Sequence, residues 1–395
     1  MATRHVQIVR PGGKKVSFNG AIVTRALSTV TVHVSNNSEL AHISQSEYQV
    51  IYGGSITIPV TYESGYDYTC ISTDVGEVTA AGIVLHGITE NVNLTIITDF
   101  SPKTGYFQFT NTGNSSITMS VTSASPGEFW VNRENVGVFY ANSTYSVSIP
   151  AGGVLKLKGF TSRNNNSADI STNTTGYLTL DRFSEDCTAL YFTFYRMYSL
   201  CAVTSWKGAQ NITYMGDAFC GCSNLTRLPD SWVGLGSLRT MIGTFNGSGL
   251  LALPSSWRGL SSLYQFQYVF NSSPISALPA SWEGLENVTI MRGTFHSCRN
   301  IAALPESWRG LSSIRYFTHV FVNCTGITTG GSSDTDVLSH VCECSCAFEF
   351  LSNWTGNAYA VYQAFSQNTP DGQHNRTFYG NTSAIGYSSI PPEWK

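Results

Sequence analysis

The feature that most restricts how this chain can fold is a period. Phenylalanine recurs at Phe194, Phe219, Phe245, Phe270, Phe295 and Phe321, and tryptophan at Trp206, Trp232, Trp257, Trp282 and Trp308, always 25 or 26 residues apart. Within that period one phrase returns four times, as LPDSWVGLGSL, LPSSWRGLSSL, LPASWEGLENV and LPESWRGLSSI, starting at Leu228, Leu253, Leu278 and Leu304. A unit this short cannot bury its apolar face alone and must share it with the next, so a fixed period predicts stacked repeats. Residues 189–395 are therefore predicted to form a solenoid.

Aligning the repeats gives columns. Leu225, Leu250, Ile275 and Ile301 form one apolar column and Leu228, Leu253, Leu278 and Leu304 a second, three residues on, which suits a short strand. Pro229, Pro254, Pro279 and Pro305 follow and would end it, because proline has no N–H for the next ladder bond. Leu235, Leu260, Leu285 and Leu311 make a third apolar column. Cys222, Cys298 and Cys324 share a column with Ser248 and Ser273, which predicts a tight interior corner and not a bonded or metal-bound thiol. The tryptophans could form an exposed ladder for sugars or proteins, but their uniform setting between Ser and x-Gly favours a packing role. A recognition site should differ between repeats. The varying positions therefore supply the candidate contact residues Arg258, Arg309, Tyr264, Tyr268, Arg292, Tyr316 and His319, with Val233, Glu283, Arg239 and Phe266 among the others.

Phrases such as AFCGCSNLTRLP and TFHSCRNIAALP make this region resemble the BspA-like leucine-rich repeats. That resemblance covers nearly half the chain and implies a leucine-rich-repeat fold used for adhesion or protein binding on surfaces of bacteria and protozoa. Such repeats also occur in phages of gut Bacteroides, including crAss-like phages. Upstream, YGGSITIPVTYESGYDY followed by GIVLHGITENVNLTI resembles divergent InlB-type B-repeats over about residues 25–100, implying a β-grasp-like spacer or adhesion module.

The fold class expected is thus mainly β, in three parts: a β-rich module at 1–100, an antiparallel β-sandwich at 101–188, and the repeat solenoid at 189–395 with an atypical cap. The middle part is read from alternating runs such as TGYFQFTNTG, GEFWVNRENVGVFY and TYSVSIPAGGVLKLKGF, separated by Asn, Gly, Ser and Pro turns. One short helical piece is expected near Glu39–Ser46. At the far end, Cys342, Cys344 and Cys346 form C-x-C-x-C, which predicts capping core ahead of a disulfide or metal; aligning Trp354 with Trp232 puts Cys344 on the Cys222 column.

Only 12% of residues are charged and the net charge is −3, which argues against nucleic acid or an anionic membrane as partner. MATRHVQIVRPGGKKVSF lacks the apolar core of a secretory signal, so the expectation is synthesis in the cytosol and no membrane insertion. On that reading the fifteen N-x-S/T triplets from Asn36 to Asn381 reflect composition and repeat wording ahead of glycosylation. No phosphate loop, dinucleotide fingerprint, nucleophile elbow or zinc-helix motif occurs, so no catalytic residue, metal or cofactor is expected. The function expected is non-enzymatic: a phage virion surface protein, on capsid or tail, held to other virion proteins by its N-terminal modules and meeting a host surface protein or glycan through its repeats. A homo-oligomer is compatible with this. A bacterial cell-surface adhesin and a purely structural decoration or tail connector are the alternatives.

Overall fold

The computed structural model describes residues 29–36, 41–62, 66–68, 76–79, 82–96, 100–102, 104–132, 134–163, 165, 167–172 and 177–395. The stretch at 1–28 lies outside them. The chain is mainly β, in several sheets, and divides into two compact units: Met1–Glu63 with Thr69–Thr98, and Ser64–Tyr68 with Asp99–Lys395.

The first unit is built of short strands. Thr29–Asn36 lies between Glu47–Ile51, antiparallel, and Val92–Ile96, parallel. Gly54–Ile58, Gly82–Ile88 and Gly76–Thr79 form a second sheet. Period-two alternation turns Val30, Val32, Tyr48 and Val50 inward and leaves Glu47, Gln49 and Ile51 exposed. The helix expected near Glu39–Ser46 is not there: Ala41–Ile43 is a strand paired antiparallel with Val60–Tyr62, while Glu39 and Leu40 lie outside the described residues. So short an isolated helix is marginal, and the neighbouring strand supplies the backbone partners instead.

The second unit holds a two-stranded pairing of Tyr66–Tyr68 with Phe100–Pro102 and then two larger sheets. The six-stranded sheet runs in the order Glu134–Phe139, Gly127–Val131, Val154–Lys158, Tyr106–Asn111, Leu178–Arg182, Leu200–Val203, and the three-stranded sheet in the order Thr144–Ile149, Ile117–Thr122, Ile170–Thr172. Alternate residues of both, including Phe107, Phe109, Leu155, Leu157, Ile117, Met119 and Val121, enter one common core. All pairings are antiparallel except the last of the larger sheet, where Leu178–Arg182 runs parallel to Leu200–Val203. That parallel pair begins the repeats. Ala189–Tyr191 pairs parallel with Tyr214–Gly216, and single parallel bridges then join Tyr214, Thr240, Gln265, Ile290, Tyr316 and Glu343 in succession.

Five residues beyond each bridge comes a ladder phenylalanine, and the rings stack. Phe194, Phe219, Phe245, Phe270, Phe295 and Phe321 follow one another at centroid distances of 4.9, 5.3, 5.8, 5.7 and 5.5 Å. Phe348 and Phe378 continue the column at 5.8 and 5.7 Å. Phe107 and Phe109 touch Phe194, so the core of the sheets runs without a break into that of the repeats.

The tryptophans make the second ladder. Trp206, Trp232, Trp257, Trp282 and Trp308 stack at 5.7, 6.2, 6.3 and 6.1 Å with interplanar angles falling from 18° to 4°. All are buried, so this column is core and no recognition ladder. Stacked rings of this kind add roughly 0.5–1.5 kcal/mol each beyond the area they bury.

The glycine of each SW-x-GL phrase has an equally physical reason. Gly234, Gly259, Gly284 and Gly310 have φ between 101° and 112°, a region L side chains rarely adopt. A Cβ on Gly284 would also sit 2.6 Å from the carbonyl carbon and oxygen of Trp257 in the preceding repeat. Backbone meets backbone there, and only glycine fits.

The Cys/Ser column needs a small side chain that can donate. Cys222 Sγ donates to the Phe194 carbonyl at 3.0 Å, Ser273 Oγ to Phe245 at 2.9 Å, Cys298 Sγ to Phe270 at 2.9 Å and Cys324 Sγ to Phe295 at 2.8 Å. The hydroxyl and the weaker thiol donor both reach the carbonyl one repeat back. The strand expected between the two leucine columns is reduced to an extended segment with at most two bonds to its neighbour, such as Ala302 N–H to Ser276, or Thr328 N–H to Ala302 with Leu304 N–H to Thr329. Leu228, Leu253 and Leu278 are accordingly only partly buried, whereas Leu225, Leu250 and Ile275 are fully so.

The far end departs from the sequence alignment. Cys344 N–H bonds to the Gln373 carbonyl as Phe317 N–H does to Glu343 and Met291 N–H to Tyr316, so Cys344 belongs to the buried Met215, Met241, Phe266, Met291, Phe317 column and not to that of Cys222. Leu351 holds the Cys222 position. Trp354 replaces Ile327 in the first leucine column, stacking on Phe348 at 5.2 Å. The last repeat is longer because Ala358–Phe365, the one α-helix among the described residues, is inserted between Phe348 and Phe378.

Candidate functional site

Each repeat turns two corners on either side of its ladder phenylalanine, and both corners are left-handed. Phe192, Asp217, Gly243, Tyr268, Gly293, His319, Cys346 and Arg376 form the first corner column, with φ from 50° to 61°. Four residues on, Arg196, Gly221, Gly247, Ser272, Ser297, Asn323, Phe350 and Gly380 form the second, with φ from 54° to 82°. The backbone bonds fix the stacking: Tyr268 N–H donates to Arg292, Gly293 N–H to Thr318 and His319 N–H to Ser345.

Glycine adopts this conformation freely, whereas a side chain costs about 1–2 kcal/mol, least for Asp and Asn. Six of the eight first-column residues nevertheless carry side chains, among them Phe, Tyr, His and Arg. These are half-exposed or exposed, Tyr268 to 42%, so burial returns only part of the cost. Strained backbone carrying exposed, chemically rich side chains marks this face as the candidate site.

The side chains lean along the array. Glycine in the following repeat makes the space: a Cβ on Gly293 would strike the Tyr268 ring, one on Gly243 the Asp217 carboxylate, and one on Gly221 would come within 2.8 Å of Arg196 Cγ. Arg292 makes an ion pair with Glu343 and lies over the Tyr316 ring at 5.3 Å. His296 Nδ1 is 3.2 Å from Asn271 Oδ1, and burial, together with neighbouring His319, lowers the His296 pKa below its ordinary value. At the far end Arg376 pairs with Glu349 and covers Tyr379 at 4.0 Å, with Phe350 edge-on to Tyr379 at 5.4 Å.

Five of the seven residues picked from sequence lie along this face. Tyr264 precedes the bridging Gln265, Tyr316 is itself a bridge residue, Arg292 precedes the corner Gly293, and Tyr268 and His319 are corner residues. Arg258 and Arg309 stand elsewhere, beside the buried tryptophans. Each is highly exposed and faces an acid of the next repeat, Glu283 at 3.6 Å and Asp334 at 3.9 Å. Such exposed pairs contribute little. Phe266, another varying position, is fully buried.

Sequence reasoning missed the aromatic patch at the head of the array. Tyr191 and Phe192 meet edge to face at 4.9 Å, Tyr191 and Tyr214 lie 5.8 Å apart, and Phe192 and Tyr195 5.1 Å apart, with Arg196 over Tyr195 at 5.1 Å. The signal was the dense run LYFTFYRMY, which holds more aromatic residues than the one ladder position at Phe194 can take up. Asp217 sits on the same corner column, half-buried, and makes no ion pair or side-chain hydrogen bond among the described residues. Desolvation raises its pKa.

Elsewhere the surface offers less. A shallow groove of about 390 Å³ runs past Arg227, Pro229, Asp230 and Pro254 on the leucine–proline side. The C-x-C-x-C thiols do not converge: Cys344 points inward near Thr377, while Cys342 and Cys346 donate to the Arg315 and Asn375 carbonyls. Among the described residues no three His, Cys, Asp or Glu side chains are grouped to hold a metal ion, and no helix is long and apolar enough to cross a membrane. No protein-family model, curated protein or solved structure matches the chain.

Proposed function

We propose that this chain is a non-enzymatic attachment protein, in which a BspA-like leucine-rich-repeat solenoid presents a varied side-chain face to a host surface. The observation that carries this reading is the first corner column, where Phe192, Asp217, Tyr268, His319 and Arg376 occupy a left-handed position that glycine fills in two other repeats. The uniform parts of the repeat, the Phe and Trp ladders and the SW-x-GL glycines, hold the array together. What differs from repeat to repeat is left to recognise. The setting proposed is the surface of a phage particle, on capsid or tail, with the first unit and the sheets toward other virion proteins.

The test is adsorption. Purified chain added in excess should compete with particles for host cells, and antibody against the repeats should block adsorption. Chain that neither binds cells nor competes would overturn the attachment reading. Loss of particle stability without any change in adsorption, on deleting the gene, would assign the chain a purely structural role instead.

A further inference from the structure

We propose that the aromatic patch of Tyr191, Phe192, Tyr195 and Tyr214, with the Asp217 carboxylate at its edge, is a binding subsite for a neutral sugar ring. This rests on the attachment reading and names the ligand chemistry at one end of the same face.

The four rings are half-buried and in mutual contact, with successive centroids 4.9–5.8 Å apart. Their planes are inclined at 80°, 44° and 56°, so a ligand meets the face of one ring and the edges of its neighbours. A pyranose ring offers one face of axial C–H groups, which packs on a single aromatic face, and a rim of hydroxyls, which need polar partners. Asp217 supplies that partner. It is held on the left-handed corner by the N–H bond to Ile242, its carboxylate lies over the glycine of the next repeat, and neither oxygen accepts a hydrogen bond among the described residues. A carboxylate that accepts two such bonds is worth more than a neutral acceptor in the same place.

A cationic ligand fits these observations less well. Quaternary ammonium recognition needs rings arranged around a centre, and here the guanidinium of Arg196 already stands over Tyr195 at 5.1 Å, adding positive charge beside the patch. Repetition along the face also suits a chain of sugars. Successive repeats are spaced like their ladder rings, 4.9–5.8 Å, which is close to the length of one pyranose in an extended glycan. Beyond the patch the column of Tyr195, one residue past the ladder phenylalanine, continues with Asn246 and Asn271, and the first corner column with Tyr268.

The experiment is affinity electrophoresis of the full chain in native gels containing, separately, mannan, a mixed-linkage glucan, xylan, galactan and dextran, repeated for Asp217→Asn and Tyr195→Ala. Asparagine tolerates the left-handed corner, so Asp217→Asn removes the charge without disturbing the backbone. Wild-type chain is expected to be retarded by at least one polysaccharide, and each substitution to weaken that interaction roughly tenfold, with the melting temperature unchanged. Tetramethylammonium and trimethyl-lysine peptide serve as the cationic arm. Migration unaffected by all five polysaccharides, retardation insensitive to both substitutions, or tight binding of the ammonium probes would each overturn the proposal. Cell binding that survives those outcomes leaves attachment standing and the sugar subsite refuted. Loss of cell binding by wild-type chain that still binds polysaccharide refutes attachment alone.

Discussion

Replacing Gly284 by alanine tests the account of the repeat most directly. At φ 106° the residue is in a region that charges an L side chain about 1–2 kcal/mol. The new methyl would lie 2.6 Å from the Trp257 carbonyl carbon and oxygen and 2.8 Å from the Arg258 nitrogen. These are backbone atoms of the preceding repeat, so no side-chain rotation relieves the contact, and overpacking of this kind adds about 1–3 kcal/mol. The sum, about 2–5 kcal/mol, should lower the melting temperature of a unit this large by roughly 4–10 °C. Gly236→Ala is the matched control, two repeat phrases away: a Cβ there meets nothing within 4 Å and φ is not positive. It should change stability by less than about 1 kcal/mol, in the stabilising direction if at all. Calorimetry of both variants decides. Equal melting temperatures would refute the claim that close backbone approach, and not chain flexibility, requires glycine in the SW-x-GL phrase.

Other outcomes follow from particular contacts. Trp308→Phe should cost about 1 kcal/mol more than Trp282→Phe in urea unfolding, because the Trp308 indole N–H donates to the Gly331 carbonyl at 2.9 Å while that of Trp282 has no acceptor among the described residues. Burial holds the folded-state pKa of His296 below the ordinary histidine value of 6.5, so the unfolded chain binds the proton first as pH falls. Its contribution is whole above about 6.5 and is lost below it; His296→Asn, the residue of the two preceding repeats, should flatten melting temperature against pH between 7 and 5, with His319 and Glu349 still beside it. Burial pushes the Cys222, Cys298 and Cys344 thiols up to about 12. Iodoacetamide at pH 8 should leave them unmodified in the native protein and alkylate them in urea, as read by mass spectrometry.

The parts of the fold that repeat uniformly were legible in the sequence. Ladder phenylalanines, buried tryptophans and the Cys/Ser corner all declared themselves as columns, because an interior position accepts few side chains. The left-handed corners did not. They are occupied by Phe, Asp, Gly, Tyr, His, Cys and Arg, and only the backbone unites them. For the same reason Phe266 read as a contact residue: it varies from Met because the interior there tolerates either shape, not because it meets a partner. Alignment failed at Trp354 since a tryptophan was assumed to mark the tryptophan column. Once the spacing lengthens, an indole can fill a leucine position near the open end of the core. The aromatic patch was passed over because its residues precede the first complete phrase, where no periodic partner showed which of them faced inward.

The seat that Gly293 gives the Tyr268 ring has a consequence for how such an array can be lengthened or shortened. Repeats of equal length look like interchangeable words for recombination. Loss of residues 268–292 removes the ring together with its own unit and sets Gly293 behind Gly243, two glycines in succession. Loss of residues 293–318 is just as exact in register, yet it brings the His319 Cβ to the place where the ring lies. The first deletion removes ring and seat together, whereas the second obliges an exposed ring to turn aside. The order of repeats is therefore inherited information, written in which side chain lies over which gap.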